Sequence, residues 1–247
     1  MKKAVIFLVS LSGISLFAQQ YELPASMPRE QQVKHTRFTL SYNEGYELPS
    51  WVAYQLTAEQ AKATGSVKEK FTEDAMVTTG SASVKNYKDA GFIMGQMVPV
   101  EDMLNLPKAA EETYLTSNTA PQKPTFNKNV WRKTELLIRE WAKEGYTLYI
   151  VAGPVITDAP FGSFGSDKIS IPLRYYKAVL DMNGERAIGF VMSSNVASGA
   201  PKTFAVSIDE LEKITGIDFF PALPDDIENK IEASKDFTKW NFKALEQ

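Results

Sequence analysis

Between Asn118 and Glu135 the chain spaces amides, an indole and a carboxylate as Asn118, Gln122, Asn127, Trp131 and Glu135. Asn127, Trp131 and Glu135 follow in steps of four, which on a helix keeps them near one face with a drift of about 80° over two steps. An amide oxygen and a carboxylate projecting from one helix end can hold a hard cation such as Mg²⁺ or its water shell. Such an ion keeps most of its waters and needs few protein ligands. The same residues also suit plain roles, Asn127 as a helix N-cap and Glu135 as a solvated or ion-paired side chain. Lys123, Lys128, Arg132, Lys133, Arg139 and Lys143 make this stretch locally basic. A run of this kind can meet phosphates. Interleaved with Glu135, Glu140 and Glu144, it also reads as an ordinary solvated face.

Composition removes several chemistries. With one histidine and no cysteine, there is no Cys/His nucleophile, no zinc site of the usual ligands and no disulfide framework. His35 precedes the first expected strand without a surrounding signature and reads as a structural or surface residue. No phosphate-cradling glycine loop opens a helix, and Phe161-Gly-Ser-Phe-Gly165 reads as a flexible connection. Residues 1–18 have the pattern of a secretory signal peptide, with Lys2 and Lys3 before an apolar run and Ala18 at the expected cleavage point. The run is too short and too interrupted to span a bilayer comfortably. A periplasmic or secreted protein is therefore expected. Losing that leader takes net charge from −3 to −5. A mildly acidic chain is not what phosphate-backbone binding alone would produce.

The elements that must position these residues follow from periodicity. Residues 19–34 are expected as a loose lead-in and 35–247 as one domain. Phe38–Tyr42 and Trp51–Leu56 have strand composition, and residues 57–90 read as a long surface excursion. Leu104–Leu115 contains a weak helix after Pro107. The clearest helix is expected from about Lys128 to Lys143, striped by Val130, Thr134, Leu137 and Trp141 and closed by Gly145. Thr147–Val151 is a buried strand. Tyr175–Leu180 and Ala187–Met192 flank an Asn183-Gly184 turn signal, and Thr203–Val206 is another strand. A Ser207/Glu210 capping box opens a helix that ends at Gly216, and a last helix is expected over Asp225–Ala233. This order predicts an α+β domain with a mixed, largely antiparallel sheet.

One further stretch, Ala90-Gly-Phe-Ile-Met-Gly-Gln-Met-Val-Pro-Val-Glu-Asp-Met103, carries a resemblance. With Thr79-Gly-Ser-Ala-Ser83, Thr116-Ser-Asn118, Phe126-Asn127, Trp131-x-x-x-Glu135, Ile171-Pro-x-x-Tyr-Tyr-Lys177 and Leu223-Pro-Asp225, it resembles the DNA/RNA non-specific endonucleases over most of the chain. The resemblance implies a ββα-metal nuclease fold and one Mg²⁺ held by an asparagine and waters. It also implies a histidine general base, and arginines and a glutamate supporting the phosphate and the metal's water shell. Matched by position, Asn127 is the metal asparagine, Glu135 the supporting glutamate, and Asn118 and Gln122 the turn before it. The family's Asp-Arg-Gly-His becomes Ile93-Met94-Gly95-Gln96, so Gln96 stands at the base position. Glu69 is the nearest match to a further lost arginine.

A glutamine amide accepts no proton near neutral pH, and losing a general base costs typically 10²–10⁴-fold. The resemblance therefore implies a catalytically impaired relative that retains metal or nucleic-acid or other polyanion binding. On that reading Gln96, Glu135 and Asn118 form the former catalytic set, and Lys123, Lys128 and Arg132 meet nucleic acid. An active Mg²⁺-dependent endonuclease and an envelope binding or scaffold protein are the alternatives. Homodimers occur in the family, although no exposed stripe here requires one.

Overall fold

The computed structural model describes residues 20–245, so the expected leader lies outside the described residues. In chain order the strands are β1 (Gln31–Lys34), β2 (Phe38–Asn43), β3 (Leu48–Leu56), β4 (Ile93–Gln96), β5 (Thr119–Gln122), β6 (Leu148–Pro154), β7 (Ser163–Phe164), β8 (Ile169–Ser170), β9 (Arg174–Asp181), β10 (Arg186–Ser193) and β11 (Ala205–Val206). The α-helices are α1 (Ala58–Lys62), α2 (Pro107–Glu112), α3 (Pro124–Phe126), α4 (Arg132–Lys143), α5 (Ile208–Thr215) and α6 (Asp225–Glu232).

Alternating side chains explain the layering. On β3, Val52, Tyr54 and Leu56 enter one core while Trp51 and Ala53 enter another. On β9, Tyr175 and Val179 oppose Tyr176, Ala178 and Leu180 in the same way. A period of two buries both faces of the central strands. The resulting sheet is antiparallel in the order β1-β2-β3-β6-β9-β10-β11. Leu137, Ile138 and Trp141 of α4 cover the first core, and Ile208, Leu211 and Ile231 of α5 and α6 cover the second. The expected α+β class with a largely antiparallel sheet is what the chain adopts.

A separate two-stranded ladder pairs β4 with β5, placing Ile93 opposite Gln122 and Gln96 opposite Thr119. The chain then enters the helix that carries Asn127, which makes the ββα unit. That helix starts with the single turn α3, widens through a π-turn at Asn127–Trp131, and continues as α4. The Arg132 N–H reaches back to the Asn127 carbonyl across the wide turn. Asn127 therefore lies inside the helical run rather than at its N-cap. Such π-turns cluster at functional sites because they re-aim side chains without ending the helix.

Three local expectations change. Residues 19–34 are tied in from Tyr21 onward, for Tyr21, Leu23 and Met27 pack on the second core and β1 forms the sheet edge. The Glu30 carboxylate also accepts from Ser41, Asn43 and Ser50. Thr203–Phe204 belongs to a 3₁₀ turn starting at Pro201, so only Ala205–Val206 pairs, with Gly189 and Phe190. The β9–β10 hairpin forms as expected, but its positive φ falls on Glu185, because the Asp181 carboxylate accepts the Gly184 N–H and holds the turn. The α5 capping box is present, and Gly216 ends the helix at φ +69°, a conformation glycine adopts without a Cβ penalty.

Candidate functional site: a cleft over the ββα unit

A cleft of about 670 Å³ opens over β4 and the start of the long helix. Its lining includes Ile93, Met94 and Gln96 from β4, Asn127 and Trp131 from the π-turn, and Arg132 and Glu135 from α4. Glu69, Lys88, Glu101 and Tyr114 reach it from the surrounding loops. Its carboxylates (Glu69, Glu101, Glu135) outnumber its cations (Lys88, Arg132). Arg132 is itself partnered to Glu101 at 3.4 Å. A polyanion gains little from such a lining unless a cation joins it.

Gly95 explains how Gln122 meets Asn127. A Cβ there would lie 2.3 Å from the Gln122 side chain, so only glycine lets Gln122 lie flat across β4. The Gln122 Oε1 then accepts from the Asn127 Nδ2 at 2.7 Å. With its nitrogen committed, Asn127 presents its oxygen, the atom a hard cation needs. Gly95→Ala is thus expected to dislodge Gln122 and weaken Mg²⁺ or Mn²⁺ binding about tenfold or more, as loss of a ligand-orienting partner does. Titration calorimetry measures this, and unchanged affinity would remove Gln122 from the role.

Beneath the cleft lies a buried ionic network. Lys177, fully enclosed, places its Nζ 3.6 Å from the Glu135 Oε1 and 4.0 Å from the Trp131 ring centroid. It also donates to the Met97 carbonyl at 3.3 Å. Arg139 donates to Asp102 at 2.6 Å, and the Tyr54 hydroxyl donates to the other Asp102 oxygen at 2.9 Å. Burial pushes the Glu135 carboxyl up to about 7 against the pull of Lys177 and Arg139. Burial likewise lowers Lys177 from the usual lysine range. The Glu135 Oε1 makes no close hydrogen bond among the described residues and faces the Lys177 ammonium. The Asn127 amide and the Glu135 carboxylate line the same cleft, and such a pair is a donor set that suits a hydrated Mg²⁺. Asn127 would hold the ion and Glu135 its waters. A bound Mg²⁺ would supply Lewis acidity and charge neutralisation toward a phosphate.

Gln96, expected at the base position, is held by Thr113. The Gln96 Nε2 donates to both the carbonyl (2.9 Å) and the hydroxyl (3.0 Å) of Thr113. Asn118 donates to the same Thr113 carbonyl at 2.9 Å, while bonding both polar backbone atoms of Val98. Asn118 is fully enclosed and does not line the cleft. Its amide is saturated, so it braces the turn after Gln96 rather than joining the chemistry. His35, the only histidine in the chain, is bonded to Asp74 at 2.9 Å and is absent from the cleft lining. The cleft contains no imidazole.

Of the three cations expected at a phosphate, only Arg132 lines the cleft. Lys123 instead donates to Asn195 at 2.6 Å beside a small neighbouring pocket, and Lys128 is exposed outside the lining. Sequence reasoning gave no role to Lys177, although a lysine on a core-facing register of the apolar strand Tyr175–Leu180 is a signal in itself.

The DNA/RNA non-specific endonuclease model matches residues 18–226. The chain belongs to that family. A nuclease from Nostoc sp. is 30% identical over 214 residues, covering 81% of this chain and 77% of the relative. The Serratia marcescens nuclease is 27% identical, covering 81% of this chain and 79% of the relative. The mitochondrial nuclease EXOG of Danio rerio is 28% identical over 76% of this chain, which spans 60% of that relative's length. The fold is also that of a chain in a crystal structure of an EndoG/EndoGI complex, with a TM-score of 0.74 at 23% identity, covering 83% of this chain and 91% of that one. Within this endonuclease family frame, β4 carries Ile93, Met94 and Gln96 into the cleft.

Proposed function

We propose that this chain is an exported member of the endonuclease family whose cleft binds a divalent cation and, through it, nucleic acid or another polyanion, with phosphodiester hydrolysis strongly impaired. The observation that carries the reading is the state of Gln96, an amide tied to Thr113 in a cleft without an imidazole. An amide there orients groups but takes no proton. The acidic lining makes phosphate binding depend on the cation, so affinity for a DNA or RNA oligonucleotide should fall on adding EDTA.

A second reading has its own support. Glu135 lines the cleft with a carboxyl raised to about 7, where it can take a proton, and the relatives are named nucleases. On that reading the chain is a working Mg²⁺-dependent endonuclease of DNA and RNA. Plasmid cleavage in Mg²⁺ or Mn²⁺ by the purified protein, beside Asn127→Ala and Glu135→Gln, separates the two. Impairment predicts no cleavage above the level of either variant. Robust metal-dependent cleavage lost in both variants would overturn it in favour of the second reading.

A further inference from the structure

Helices α5 and α6 pack on the second core, and between them three carboxylates converge. Asp209 and Glu212 sit on α5, Glu232 ends α6, and one oxygen from each lies within 4.8 Å of the other two. Glu232 is only 5% exposed, and its Oε1 is sealed from solvent with no hydrogen-bond partner among the described residues. Such an atom is costly while ionised, and burial pushes the Glu232 carboxyl up to about 9, so it stays protonated near neutral pH unless a cation reaches it. The lysines flanking Glu232 do not supply it, since Lys230 pairs with Glu185 and Lys235 with Glu210. Asp218 and Glu228 add to the negative field at Glu212 and Glu232. One Glu212 oxygen accepts the Phe219 N–H at 2.8 Å, leaving the other for a ligand.

We infer that Asp209, Glu212 and Glu232 form a second site for a hard divalent cation, independent of Asn127, that clamps α5 to α6. Oxygens bound to Ca²⁺ at about 2.3–2.6 Å lie at most roughly 5 Å apart across the ion, so the three carboxylates can share one. Backbone oxygens and waters complete such a shell.

Thermal unfolding of the purified protein in EDTA and in rising Ca²⁺ tests this, with Mg²⁺ as a comparison ion. Wild type and Asn127→Ala are expected to gain about 5–10 °C in Tm at a hundredfold excess of Ca²⁺ over its Kd. Glu232→Gln is expected to abolish that gain. Asp209→Asn, at a half-buried position, should do the same and decides the matter if Glu232→Gln fails to fold. No Ca²⁺-dependent gain in Asn127→Ala would overturn the inference. So would a full gain retained in Asp209→Asn.

Discussion

The double variant Gln96→His, Met94→Arg is expected to nick supercoiled plasmid in Mg²⁺ at least 10²–10⁴-fold faster than the wild type, the usual contribution of a positioned general base. The surroundings are arranged for it. Thr113 offers a carbonyl and a hydroxyl where Gln96 now donates. One nitrogen of a histidine at 96 can donate there, which fixes the tautomer and leaves the other nitrogen as an acceptor toward the cleft. Met94 lines the same cleft, so an arginine there adds charge where a pentacovalent phosphate develops it. Met94→Arg alone should gain little, because charge stabilisation without a proton acceptor leaves the slow step in place. Adding Asn127→Ala to the double variant should return it to baseline. A wild type that already cuts at the double variant's rate would sink the impaired reading. No gain at all would place the defect elsewhere in the cleft.

Lys177→Met should destabilise the fold by about 3–5 kcal/mol at pH 8, the range for removing one partner of a buried ion pair. Methionine nearly preserves volume, so the loss reports charge rather than a cavity. Without the Lys177 ammonium, Glu135 keeps only Arg139 to offset burial beside Asp102. The sign of the pH dependence follows. Glu135 has a folded pKa of about 7, above its unfolded value. Its stabilising contribution is therefore fully present below about pH 4 and is lost as pH rises through 7. Removing Lys177 raises that folded value further, so the penalty should be small at pH 5, where Glu135 is protonated, and large at pH 8. Adding Glu135→Gln should recover most of the loss at pH 8. Urea unfolding at both pH values measures this. A penalty that is the same at both would mean that Lys177 stabilises through Trp131 and packing instead.

Legibility in the sequence followed the range of the physics involved. The stripe through Val130, Thr134, Leu137 and Trp141, the capping box at Ser207 and the Tyr175–Leu180 and Ala187–Met192 strands were readable, since each arises from neighbours within a few residues. The π-turn was not, because one extra residue leaves the apolar spacing nearly intact, and the turn at Pro124–Phe126 that puts Asn127 inside the helical run carries too few residues to show a period. The strand expected over Thr203–Val206 shortens to Ala205–Val206, for Pro201 starts a 3₁₀ turn that takes Thr203 and Phe204. Asn118 looked chemical in a polar string. Its saturation by Val98 and Thr113, which are 20 and 5 residues away, is visible only in three dimensions.

By itself the sequence determined the family and the antiparallel α+β framework, since these rest on residue identity and short-range periodicity. Only the tertiary structure decided what the remaining residues do. The β4–β5 register laid Gln122 over Gly95 and so aimed the Asn127 oxygen. The sheet brought Lys177 to Glu135, 42 positions apart in the chain, and loops at Glu69 and Glu101 made the cleft acidic despite the basic helix. Charge acts through space over several ångströms, so its balance belongs to the folded surface and not to any window of sequence.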